Sequence, residues 1–130
     1  MVLDTSALVA VLTDEPDRGR FTRAMADAPV RAISAATLLE SSVVLEARFG
    51  EAGGRELDLL LHRADVRVVP VDERQAEPAA WPGGDSARDG TRRGSNYGDC
   101  CSYALAVDRD EPLLFKGDDF AATDVRVAGA

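Results

Sequence analysis

Four acidic motifs are spread along the chain, each where a strand or helix is expected to begin or end. The first is Val2-Leu3-Asp4-Thr5-Ser6-Ala7 and the second is Thr37-Leu38-Leu39-Glu40. The third is Asn96-Tyr97-Gly98-Asp99-Cys100 and the fourth runs from Leu113 through Lys116-Gly117-Asp118-Asp119 to Phe120. Carboxylates gathered from distant parts of a chain repel one another, and the usual remedy is a divalent cation between them. Without histidine or thiolate clusters, such a donor set selects a hard cation. Each acid also has a plain structural role: Asp4, Asp99 and Asp118 lie where carboxylates offset a helix dipole, and Glu40 suits a solvated helix face. Two features favour the joint reading. Glu40 is embedded among Leu38, Leu39, Val43 and Val44. Gly98, beside Asp99, lets other groups approach the backbone closely. Thr5 and Ser6 are candidates to bond a carboxylate or a metal-bound water, or simply to cap a helix.

Other chemistries find little support. His62 is the only histidine, so paired acid–base cleavage of RNA through the 2′-hydroxyl lacks its usual groups. Lys116 is the only lysine, and no phosphate-cradling Gly-Lys-Ser/Thr loop exists. Asp4-Thr5-Ser6 lacks the second aspartate of aspartyl-phosphate phosphatases. Cys100 and Cys101 are adjacent, which suggests neither a disulfide nor a zinc site, and a reducing cytoplasmic location is expected. No apolar run approaches the ~18–20 residues of a membrane span, and no signal peptide is recognised. The net charge of −8 opposes a nucleic-acid partner at first sight, but an acidic metal site concentrates negative charge while arginines elsewhere can still meet phosphate.

At 130 residues and 45% hydrophobic, the chain is expected to be one domain. Short β-type runs at 2–3, 30–33, 66–71 and 112–115 alternate with helical patterns at 5–12, 15–28, 34–49, 55–63 and 97–107, with a possible fifth strand at 124–127. In the third helix Leu38, Leu39, Val43 and Leu45 are expected among the buried positions, with Ser34 as cap and Gly50 as stop. The stretch 76–94 is broken by Pro78, Pro82 and Gly83-Gly84. The alternation implies an α/β fold with a mostly parallel sheet of four to five strands, and a ligand site outside the carboxyl ends of the strands. Asp4 and Asp118 should arrive at that edge.

The order and wording of these motifs resembles the PIN domain, whose stand-alone bacterial form is the VapC ribonuclease toxin. The resemblance spans nearly the whole chain, and the motifs around Asp4 and Asp99 are its most specific parts. It implies a three-layer α/β/α sandwich and a Mg²⁺- or Mn²⁺-dependent endoribonuclease, with a cognate VapB-type antitoxin as partner. On this reading Asp4 and Asp99 bind one ion directly, while Glu40 and Asp118 or Asp119 bind a second ion or hold waters. Asn96 joins Thr5 and Ser6 as a supporting group. Arg92, Arg93 and Lys116 are candidates for RNA phosphate contacts, with Arg88 nearby.

Two departures stand out. Many family members carry an acid at the position of Gly117, so Asp118 or Asp119 must serve. Residues 78–94 replace a usual helix with Pro- and Gly-broken sequence. A catalytically impaired PIN fold acting as a binding module is therefore an alternative. A phospho-receiver domain using Asp72 is another, though Glu40 and Asp99 would then go unexplained. The apolar stripes of 34–49 and 55–63 either cover the sheet or form a clamp for an antitoxin segment or a second copy in a homodimer.

Overall fold

The computed structural model describes residues 1–77, 97–121 and 123–129. In chain order the elements are β1 (Val2–Leu3), α1 (Thr5–Leu12), α2 (Arg18–Asp27), β2 (Arg31–Ser34), α3 (Ala35–Phe49), α4 (Glu51–Arg63), β3 (Val66–Val69), α5 (Tyr97–Arg109) and β4 (Leu113–Leu114). The four strands form one parallel sheet in the order β3-β2-β1-β4. The chain winds outward from β1 to β3 and then returns to the other side of β1. The topological switch point therefore lies between β1 and β4, where Val2 pairs with Leu113 and Leu3 with Leu114.

Period-two alternation sends neighbouring strand residues to opposite faces. Leu3, Ile33 and Leu114 join Leu8, Phe21, Met25, Leu45, Leu57 and Leu61 in one hydrophobic cluster. Val2 and Leu113 join Tyr103, Leu105 and Ala106 of α5, with Phe120, in the other. These two cores make the three-layer α/β/α sandwich. The expected fifth strand is a single parallel bridge between Leu113 and Val127. It is held by bonds from Leu113 N to Arg126 O (2.8 Å) and from Ala128 N to Leu113 O (2.9 Å). The third strand stops at Val69 because Pro70 has no N–H to continue the ladder.

Two expectations about α3 and α4 are corrected. First, α4 begins at Glu51, not near residue 55, so Gly53 and Gly54 are helical rather than part of a linker. A Cβ on Gly53 would lie 2.4 Å from the Leu45 carbonyl oxygen, so the glycine permits backbone-level contact between α3 and α4. The whole turn between the helices is Gly50, at φ +64°, whose N–H bonds Glu46 O at 2.8 Å. Second, Leu39 and Val43 point outward and are 68% and 61% exposed. Thr37, Ser41 and Leu45, spaced four apart, are the buried face of α3. The hydroxyls face inward because they have hydrogen-bond partners there.

Candidate active site

Asp4 directly follows β1, and its backbone N–H bonds Leu114 O at 3.0 Å, which sets it at the switch point. Its side chain caps α1 by accepting from Ser6 N at 3.0 Å, so the structural role holds as well. The same oxygen, Oδ2, accepts from Ser6 Oγ at 2.6 Å, and Oδ1 accepts from Ser102 Oγ at 2.6 Å. Asp4 is only 3% exposed. Among the described residues no Lys, Arg or His nitrogen comes within ion-pair distance of it. A buried carboxylate held only by neutral donors retains an electrostatic demand for a cation.

Hydroxyls tie this group to its neighbours. Ser102 Oγ and Thr37 Oγ1 are 3.1 Å apart. Since the single Ser102 proton goes to Asp4, Thr37 is the donor in that pair. Thr5 Oγ1 donates to Glu40 Oε1, and Ser41 Oγ, 3.0 Å from Thr5 Oγ1, donates its proton to Thr37 O at 2.8 Å. Ser6 Oγ accepts from Lys116 N at 2.9 Å, which anchors the segment after β4 to the same hub.

Gly98 gives the Glu40 carboxylate room against the backbone of α5, one residue before Asp99. A Cβ there would fall 1.7 Å from Glu40 Oε2 and 2.4 Å from Glu40 Cδ, so the Glu40 carboxylate occupies the space a side chain would need. Asp99 is buried in the first turn of α5, one helical turn before Ser102. The charges are felt nearby. Burial pushes the Cys100 thiol up, helped by Cys101 and by the Asp99 charge. Burial also raises Cys101, against a hydrogen bond from Tyr97 and with help from Glu40. Both thiols are therefore poor nucleophiles at neutral pH.

The remaining candidates divide differently. Asp118 and Asp119 are exposed in a turn closed by Ala121 N on Asp118 O at 3.0 Å. Lys116, suggested above for phosphate, pairs through Nζ with Glu15 and lies 4.0 Å from Asp17. Its charge is already engaged, which argues against that role. Asn96, Arg88, Arg92 and Arg93 lie outside the described residues, as does 78–94. Among the described residues no three His, Cys, Asp or Glu side chains stand close enough together to cage a metal. The donor chemistry nevertheless fits a hard cation. It is all oxygen, Asp4 has no cationic partner among the described residues, and Glu40 packs on Gly98, the residue before the buried Asp99. Thr37, Ser41 and Ser102 were not anticipated. The available signal was a hydroxyl three residues from an acid on an otherwise apolar helix face, as in Thr37/Glu40 and Asp99/Ser102.

A PIN-domain family model matches residues 1–126. The chain belongs to the PIN-domain family. A protein of Mycolicibacterium smegmatis named ribonuclease VapC is 57% identical over 125 residues, covering 96% of this chain and 97% of its own length. Among solved structures, VapC20 of Mycobacterium tuberculosis, described as a sarcin–ricin loop cleaving toxin, superposes on this PIN domain with a TM-score of 0.74. It is 24% identical and covers 98% of each chain. A VapBC2 chain from Rickettsia felis, from a complex bound to a promoter DNA fragment, gives a TM-score of 0.74 at 16% identity. That match covers 97% of this chain and 94% of the other. At these identities the structural matches speak to the fold of the PIN domain alone. The sandwich and its parallel sheet agree with the architecture expected from the motifs.

Proposed function

We propose that this PIN domain is a Mg²⁺- or Mn²⁺-dependent endoribonuclease and the toxin of a toxin–antitoxin pair. The observation that carries the reading is the buried Asp4 carboxylate at the switch point, held by neutral hydroxyls and lacking a cationic partner among the described residues. The 57% identity to a ribonuclease VapC over nearly the full length supports the same activity. Asp4 and Asp99 would hold the ion, with Glu40 beside them and Asp118 or Asp119 at the rim. A bound divalent ion lowers the pKa of a coordinated water and offsets charge on a scissile phosphate. Thr5 donates to Glu40 Oε1 and, with Gly98 giving room to Oε2, sets the orientation of that carboxylate. Ser6 couples the position of Asp4 to the segment bearing Asp118 and Asp119.

The partner reading is supported by Leu39 and Val43, which form an exposed apolar pair one turn apart beside Glu40. Such an i, i+4 pair suits the apolar face of a VapB-type antitoxin helix or of a second copy. Size measurement of the chain alone and with antitoxin separates those occupants. The enzymatic reading is tested by incubating defined RNAs with the protein in Mg²⁺ or Mn²⁺. Cleavage should require the metal, stop with a chelator and be lost in Asp4→Asn. Equal cleavage by Asp4→Asn would sink the assignment. Mn²⁺ should also raise the melting temperature, since a ligand at a hundredfold excess over Kd stabilises by about 2.7 kcal/mol.

A further inference from the structure

We propose that Ser102, held by Thr37, is a positioning residue that leaves Asp4 a single open acceptor, on Oδ1, and fixes its direction. This rests on the metal-dependent reading above. A carboxylate offers about four acceptor positions, two on each oxygen. Asp4 Oδ2 fills both with Ser6 N and Ser6 Oγ, at 3.0 and 2.6 Å. Oδ1 fills one with Ser102 Oγ at 2.6 Å. Counting the donors of the described residues, Asp4 is therefore a one-point ligand through Oδ1, and the donor sharing that atom sets where its remaining lone pair points.

The support of Ser102 is itself fixed. Ser102 and Thr37 are both fully buried, so neither hydroxyl can exchange its partner for water. With its proton on Asp4, Ser102 must accept from Thr37 at 3.1 Å, which orders the chain Thr37→Ser102→Asp4 in one direction. That chain joins α3, α5 and the end of β1. Glu40 lies one turn after Thr37, and Asp99 one turn before Ser102. The two buried hydroxyls therefore also set the register of the helices that carry the other two acids.

The test measures Mn²⁺ affinity of the RNA-free protein by the loss of the free-ion spin-resonance signal, alongside RNA cleavage kinetics and melting temperature. The variants are Ser102→Ala, Thr37→Val and Ser102→Thr, with Asp4→Asn for reference. Groups that orient a metal ligand typically matter by about 10–100-fold in metal affinity or activity. Ser102→Ala is expected to weaken Mn²⁺ binding on that scale and to lower kcat with KM for RNA unchanged. Ser102→Thr, which returns the hydroxyl, restores both. Thr37→Val is nearly isosteric and leaves Ser102 in place, so it gives a smaller loss in the same direction and covers the case in which Ser102→Ala does not fold. Wild-type Mn²⁺ affinity in both Ser102→Ala and Thr37→Val, with loss in Asp4→Asn, overturns the positioning role and leaves the metal reading standing. Wild-type affinity in Asp4→Asn as well overturns both.

Discussion

Gly98 is the seat of Glu40: its missing side chain is the space that the Glu40 carboxylate fills, with Oε2 only 1.7 Å from where a Cβ would stand. One residue of α5 thereby admits an acid from α3 against its backbone, one position before Asp99. The hydrogen bond from Thr5 to Glu40 Oε1 closes the arrangement from the α1 side.

Gly98→Ala should therefore act as a catalytic lesion rather than a folding lesion. The clash is with the far end of a flexible side chain, so Glu40 swings away and the backbone stays. An alanine in a helix is otherwise worth about 0.5–1 kcal/mol over glycine, which offsets part of any lost contact. RNA cleavage is expected to fall about a hundredfold, the typical consequence of an ångström-scale misplacement. The melting temperature should change little. A large drop in melting temperature with full activity per folded molecule would contradict this account.

Asp4 has two duties that substitution can separate. Asparagine caps a helix as well as aspartate does, so Asp4→Asn should keep α1 intact while losing RNA cleavage, although its amide nitrogen cannot accept from Ser102 Oγ. Asp4→Ala should lose cleavage and also stability. It removes a cap, at about 1 kcal/mol, and strands the buried Ser102 hydroxyl, at about 1–3 kcal/mol. Thermal melts of the two variants should differ clearly. Coincident melts would mean that the cap adds little beyond the Ser102 hydrogen bond, which both variants lose.

These two positions also show what could be read from sequence. Asp4, Gly98 and Asp99 were legible because local rules apply: an acid after a strand, and a glycine where backbone meets another group. The sheet, its parallel sense and the arrival of Asp4 at the carboxyl ends of the strands followed from the alternation of short apolar runs with helices. The buried face of α3 was misjudged because side-chain polarity is a poor guide when hydroxyls have partners. Thr37 and Ser41 face inward, while Leu39 and Val43 face out. The engagement of Lys116 with Glu15 was equally hidden, since it depends on the segment after β4 meeting the α1–α2 turn.

The thiols provide a pH-dependent readout. Burial first, then Cys101 and Asp99, push the Cys100 thiol up, and burial chiefly raises Cys101. Both remain protonated at neutral pH, so alkylation by iodoacetamide at pH 7–8 should be slower than for a free cysteine and should accelerate on unfolding. Because the folded state holds these protons more tightly, their contribution to stability is fully present below the unfolded-state thiol value. It is lost as pH rises through the folded value. Melting temperature should therefore decline at alkaline pH, and less so in a Cys100→Ser, Cys101→Ser double variant. Rapid alkylation of the folded protein at pH 7 would contradict the burial argument.

The neighbouring glycines of α4 should respond in opposite ways. A Cβ on Gly53 would meet the Leu45 carbonyl oxygen at 2.4 Å and its carbon at 2.8 Å, both backbone atoms that cannot step aside without moving α3. Overpacking of this kind costs about 1–3 kcal/mol. It would also separate the helix carrying Glu40 from its support, so Gly53→Ala is expected to lower both melting temperature and RNA cleavage. A Cβ on Gly54 would meet only Glu46, at 2.6 Å from Oε1, the mobile end of a side chain on the protein surface. Gly54→Ala should leave cleavage intact and stabilise by about 0.4–1 kcal/mol through the reduced freedom of the unfolded chain. Paired melts and cleavage assays check both. If Gly53→Ala were as stable as Gly54→Ala, the close approach of α3 and α4 at Leu45 would not be a constraint.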